Sequence, residues 1–234
     1  MKNKIKKSVG LIASNTERSL IYLSKITFNK IQLQHVYILS NKKKLLPGQK
    51  STISVNLNKL IDICVANNIK YSIYDSDVND LKFQLEMKKT SLDLMIYSGF
   101  GGVIISDSLL QVSPPILHIH SGHLPYYRGS TTIFYSILRD NCCGATGIIL
   151  NAGIDTGDIV GIQKFPIPRV DEDVDFAYDT KIRSHLLIKL LEEFFKYGCF
   201  QNTKKQSKYD GVNHYIAHPV IRYLSIQGKW RKSL

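Results

Sequence analysis

The chain has 234 residues, 44% of them hydrophobic and 21% charged, and a formal charge of +12. That is globular composition with enough apolar material for one sizeable core, and it excludes a disordered or collagen-like chain. No apolar run approaches the roughly 20 residues that span a bilayer, so no membrane segment is expected. The excess of lysine favours anionic partners such as phosphorylated small molecules, but no nucleic-acid motif accompanies it and none is expected to bind.

The basic start, MKNKIKKSVGLIAS, reads as a solvated leader into a first strand at Ser8 to Ala13, because its apolar part is too short for a signal sequence. Ser14-Asn15-Thr16 then supplies capping chemistry for a helix from Arg18 to Phe28, with Leu20, Leu23 and Ile26 at helical spacing. A strand is expected at Val36 to Leu39, and a polar loop with Pro47-Gly48 at Lys42 to Gln49. Next come a helix at Leu57 to Ala66, a strand at Tyr71 to Tyr74 and a polar helix at Asp77 to Lys88. LDLMIY, Leu92 to Tyr97, is a buried-strand pattern ending at Ser98-Gly99, and Ser106 to Gln111 suits a short helix.

Ile116 to His120 reads as a strand and Thr131 to Leu138 as a helix. Ala145 to Asn151 and Asp158 to Phe165 read as two strands joined by a turn containing Gly153 and Gly157. The longest helical pattern runs from Asp175 to Tyr197, followed by a polar loop, Gln201 to Asp210, and a tail of mixed character. Strands alternating with helices predict an α/β fold, a Rossmann-like mostly parallel sheet flanked by helices, over residues 1–200. Residues 201–234 form a short C-terminal extension, expected to serve packing or dimerisation. The first turn reads SNTERS, not GxGxxG, which argues against a nicotinamide or flavin enzyme. Cys64, Cys142, Cys143 and Cys199 have neither zinc-ribbon nor disulfide spacing and are expected to be reduced thiols in a cytoplasmic protein.

Two short segments carry the chemistry. The first is HIHSGHLPYYRGS, residues 118–130, at the end of a predicted strand. Residues two apart on a strand face the same way, so His118 and His120 can reach one crevice, whereas His123 points elsewhere. The histidines could be ligands, packing residues or catalytic groups; with no HExxH and no carboxylate at metal spacing, no metal is expected. The second is NAGIDTGDIV, residues 151–160, where two glycines bracket Asp155. An aspartate there can be a simple turn-former. Beside His120 it would instead orient the imidazole and favour its cationic form, a pair suited to proton transfer.

The span from Leu92 to Phe165 resembles the N10-formyltetrahydrofolate-dependent formyltransferases. That family carries an N-x-H-P-S-x-L-P-x-x-R/K-G loop, represented here by residues 118–129, and a later G-x-D-x-G turn, here Gly153 to Gly157. The resemblance implies a catalytic trio of His118, His120 and Asp155, with His118 standing where the family has asparagine. It implies formyl transfer from N10-formyltetrahydrofolate to a primary amine, with His120 and His118 stabilising the oxyanion and Asp155 holding His120. It places the folate against Phe100, Gly101, Gly102, Val103 and Ile104 on one side, and Leu150, Asn151, Ala152, Gly153 and Ile154 on the other.

The opening, IASNTERSLIYLSKI, is most similar to bacterial sugar N-formyltransferases, which implies a nucleotide-linked amino-deoxy sugar as acceptor, made for a surface polysaccharide; a homodimer is expected, with the tail YIAHPVIRYL as a candidate dimer element. Arg18, at a helix start, suits a phosphate, and Tyr127 and Arg128 of the loop are expected to contact substrate. The alternatives are another small amine, such as a purine intermediate or nonulosonate precursor, or a catalytically silent folate- or nucleotide-binding relative.

Overall fold

The structure is a computed structural model and describes residues 7–40, 57–207 and 209–227. The loop expected at Lys42 to Gln49 lies outside the described residues.

Strand β1 (Val9–Ser14) is buried along its whole length. Its period of two sends Leu11 and Ala13 to one apolar cluster and Ile12 to another on the opposite face. Helix α1 (Glu17–Phe28) begins where Thr16 accepts a hydrogen bond from the Ser19 amide, the cap anticipated in Ser14-Asn15-Thr16. There follow β2 (His35–Leu39), α2 (Leu57–Ala66), β3 (Lys70–Tyr74), α3 (Leu81–Lys89), β4 (Leu94–Ser98), α4 (Asp107–Val112) and β5 (Ile116–His120). Helix α3 starts later than its sequence pattern. Asp77 accepts from the Asn79 amide and Asp80 from the Asp77 amide, so these side chains close a local turn in competition with the helix.

After β5 come β6 (Tyr127–Gly129), α5 (Thr132–Asp140), β7 (Cys143–Ile149) and β8 (Asp158–Phe165). A π-helical turn at Val174–Tyr178 then leads into α6 (Asp179–Tyr197), so the long pattern from Asp175 is not α-helical throughout. The tail contains β9 (Val212–His214) and α7 (Pro219–Gln227); Pro219 opens the helix, where its missing N–H costs nothing.

The strands form a seven-stranded sheet in the order β3-β2-β1-β4-β5-β7-β8. The pairs from β3 to β5 are parallel, and β7 and β8 add antiparallel ladders. The expected α/β architecture with a mostly parallel sheet is therefore observed. Helices α1, α2, α5 and α6 cover one face and α3 and α4 the other. Strand β6 pairs with β9 in a separate two-stranded sheet that joins the histidine loop to the C-terminal segment. Among the described residues no helix is long and apolar enough to cross a membrane.

The start of β1 is tied down by Asp93, which accepts from Lys7 Nζ at 2.9 Å, the Ser8 amide at 2.8 Å and the Ser8 hydroxyl at 2.7 Å. These bonds, Lys7 first, hold the carboxyl down to about 2. A depressed carboxyl stabilises the fold above the ordinary carboxylate range and loses that contribution as pH falls through the folded value. Asp93→Asn is expected to cost about 1 kcal/mol at neutral pH, discounted for its partial exposure. The difference should shrink toward pH ~3; urea midpoints of both proteins at the two pH values check it.

Candidate active site

The β7–β8 hairpin decides the geometry. Strand β7 runs antiparallel to β5, with Ile149 beside Leu117 and Thr146 beside His120. The hairpin therefore leaves the sheet near the start of β5, and the Leu150 amide donates to the Ile116 carbonyl. To approach His120 the turn folds back along β5 by three residues, about 10 Å. Glycine permits this: a side-chain carbon at Gly157 would lie 1.9 Å from the Ile149 carbonyl oxygen. Asp155 itself adopts φ 53°, a left-handed conformation unusual for a residue with a side chain.

The result brings together two groups far apart in the sequence. Asp155 Oδ2 lies 3.3 Å from His120 Nδ1 and accepts from the Gly129 amide at 2.9 Å. The imidazole is buried, and its Nε2 lies 2.6 Å from the Tyr127 carbonyl. Each ring nitrogen faces an acceptor, so an N–H on both satisfies the arrangement. Burial opposes charge on Asp155, but the attraction of His120 and the Gly129 amide prevails and holds the carboxyl well below its usual range. Both His120 nitrogens are engaged, so a ligand that is to accept from Nε2 must displace the Tyr127 carbonyl.

His118 lies two residues earlier on the same face, with Nδ1 3.5 Å from the Tyr97 carbonyl. Burial, then the charge of Arg183, pushes its imidazole down to about 3. It is therefore neutral at physiological pH and has one N–H to offer. Arg183, on α6, donates from Nε to the Ile119 carbonyl at 2.8 Å and pairs with Asp179 at 2.9 Å. Arg18 donates to the Gly99 carbonyl at the end of β4. Burial and the neighbouring Arg183 lower it to about 10, so it stays cationic. His123 packs beside Tyr126, away from this cluster.

Two loops flank the histidines. After β4, the backbone at Gly101 and Gly102 is open to approach, and Phe100 and Val103 line a small pocket with Ser14, Asp77 and Tyr97; Ile104 is exposed. Across from it, Asn151, Ala152, Gly153 and Ile154 are exposed, while Leu150 and Val103 pack on the same apolar cluster. The structure does not bring Tyr127 and Arg128 to an open surface. The Tyr127 hydroxyl donates to Asp140 at 2.6 Å, and Arg128, 3% exposed, is committed to Gln206 and the Ser207 carbonyl.

A family model described as "Formyl transferase" matches residues 6–186. The chain belongs to the formyl transferase family. Among curated relatives of this family member, a methionyl-tRNA formyltransferase of Sulfurimonas denitrificans is 29% identical, over 67% of this chain and 56% of that protein. The chain spans about half the length of the curated relatives it matches first. Among solved structures, an N-formyltransferase from Helicobacter canadensis, in complex with folinic acid and dTDP-3-aminofucose, superposes with a TM-score of 0.60. It is 19% identical and covers 90% of this chain and 71% of its own. A phosphoribosylglycinamide formyltransferase from Streptococcus pneumoniae gives 0.57 at 15% identity, with 81% and 99% covered. The names and titles of these matches thus include methionyl-tRNA, a dTDP-linked amino sugar and phosphoribosylglycinamide.

Several residues around this candidate site were not legible as such in the sequence. Asp179 and Arg183 have i,i+4 spacing on a helix, which signals an ion pair but not that it reaches the end of β5. Strand β6 has only three residues, too few for a period of two to show.

Proposed function

We propose that this protein transfers a formyl group from N10-formyltetrahydrofolate to the primary amine of a nucleotide-linked amino-deoxy sugar. The observation that carries formyl transfer is the His120–Asp155 pair, 3.3 Å apart, flanked by a loop with open backbone at Gly101 and Gly102 and a turn exposed at residues 151–154. The open Gly101–Gly102 backbone and the apolar packing of Val103 and Leu150 suit a flat heteroaromatic ring between the loops. The folate, when bound, supplies an electrophilic formyl carbon.

The chain's own residues then have separate tasks. The loops hold the formyl group and the amine in line, which is most of what an acyl transfer requires. His120 turns its Nε2 hydrogen from the Tyr127 carbonyl to the formyl oxygen as that oxygen gains charge. Asp155 keeps the ring oriented and charged, and with water relays the proton that the attacking amine sheds to the folate nitrogen, whose bond to the formyl carbon breaks as tetrahydrofolate leaves. His118, neutral, donates its single N–H to the same oxygen, in the place the family's asparagine takes.

The sugar acceptor is supported by the fold match over 90% of the chain to a protein crystallised with an aminated nucleotide sugar, and by the net charge of +12. The methionyl-tRNA formyltransferases among the sequence relatives favour a second acceptor class, an aminoacyl-tRNA. The test is to incubate the protein with N10-formyltetrahydrofolate and, separately, dTDP-linked amino sugars, glycinamide ribonucleotide and methionyl-tRNA, following tetrahydrofolate release. Turnover with an amino sugar alone is expected. Turnover with the tRNA or the ribonucleotide alone replaces the sugar assignment, and folate binding without turnover on any acceptor leaves a silent relative.

A further inference from the structure

We propose that Gln206, in the C-terminal segment beyond the matched residues 6–186, is a positioning residue that sets the gap between the histidine loop and the Asp155 turn. Its side chain joins both. Oε1 accepts from Arg128 Nη2 at 2.9 Å and from Nε at 3.3 Å. Nε2 donates to the Gly157 carbonyl at 2.7 Å and to the Asp155 carbonyl at 3.0 Å. All the hydrogen-bonding capacity of one amide is used, accepting from one loop and donating to the other.

That gap matters because the His120 ring is held across it. Its Nε2 partner, the Tyr127 carbonyl, precedes Arg128; its Nδ1 partner is Asp155 itself. The distance between the loops therefore sets whether both contacts form together. Asp155 holds a left-handed backbone conformation, which persists only where surrounding contacts enforce it, and Gln206 grips the carbonyl of that residue. Gln206 is in turn anchored on both sides. Lys204 bridges Ile159 through two 2.8 Å backbone hydrogen bonds, and β9 pairs with β6 from Tyr127 to Gly129.

No other common side chain does this. Glutamate keeps the acceptor toward Arg128 but loses both donors toward the turn; lysine has no acceptor; asparagine is one methylene short. Gln206→Glu thus separates the two ends of the bridge. The role rests on the formyl-transfer reading where activity is measured, so a second readout is independent of it: the ring ¹⁵N–¹H resonances of His120 in the labelled full-length protein.

For Gln206→Glu we expect a melting temperature a few degrees below wild type, since the Gly157 and Asp155 carbonyls lose their donors while the Arg128 contact survives. We expect shifted or broadened His120 ring resonances, and kcat lowered about tenfold or more with KM for N10-formyltetrahydrofolate within about twofold. Gln206→Ala should show the same signature and a lower melting temperature. Wild-type ring resonances in both variants overturn the positioning role, whether or not any acceptor is turned over. So does a loss of kcat that only follows the folded fraction. Normal turnover in both variants overturns the positioning role and leaves formyl transfer standing, whereas an inactive wild type with perturbed rings in the variants does the reverse.

Discussion

Asp155→Asn is expected to lower kcat for formyl transfer by about 10³-fold while leaving the affinity for N10-formyltetrahydrofolate within about twofold. The amide oxygen can still accept from the Gly129 amide, so the turn keeps its anchor. That same oxygen faces His120 Nδ1, so the ring keeps an acceptor there but loses the negative charge beside it. Without a counter-charge in this buried position the cationic ring is disfavoured, and with it the charge that would stabilise a developing oxyanion. His120→Ala removes the same group outright and should be as damaging. Steady-state kinetics with the acceptor found for wild type, together with folate titration by fluorescence quenching, read both quantities. A kcat close to wild type in either variant sinks the proposed mechanism, whereas a parallel loss of folate affinity points to a disrupted cleft.

His118→Ala is expected to lower kcat by about 10²-fold, the usual cost of one oxyanion donor, and His118→Asn to retain activity within about tenfold of wild type. Both side chains offer an N–H from the same strand position. The two differ in their response to pH. The His118 imidazole is pushed down to about 3 by burial and the charge of Arg183, with Arg18 and His120 adding to it. In the unfolded chain the ring titrates in the ordinary histidine range and takes up a proton that the folded protein refuses. Stability therefore falls as pH drops below about 6.5 toward the folded value, and is fully present above that range. Asparagine does not titrate, so His118→Asn should flatten this part of the profile. Urea midpoints between about pH 7 and pH 5 test the sign; equal slopes in the two proteins would mean that His118 is charged in the fold.

Local pattern carried much of this protein. Helix α2 at Leu57–Ala66, strand β5 at Ile116–His120 and strand β8 at Asp158–Phe165 have the bounds their apolar spacing predicts. Spacing and turn chemistry operate over a few residues, and nothing distant overrides them there. Periodicity likewise put His118 and His120 on one face, and paired glycines marked the Asp155 turn. Where those segments meet depends on other parts of the chain. The antiparallel addition of β7 obliges the turn to fold back along β5 before Asp155 reaches His120. Arg128 looks like a substrate-binding cation in its motif, yet a segment almost eighty residues later covers it and uses its guanidinium to hold Gln206. Which partner a polar side chain finds is set by long-range packing, because burial penalises any charge or amide that packing leaves unmatched, and linear order does not encode that neighbour.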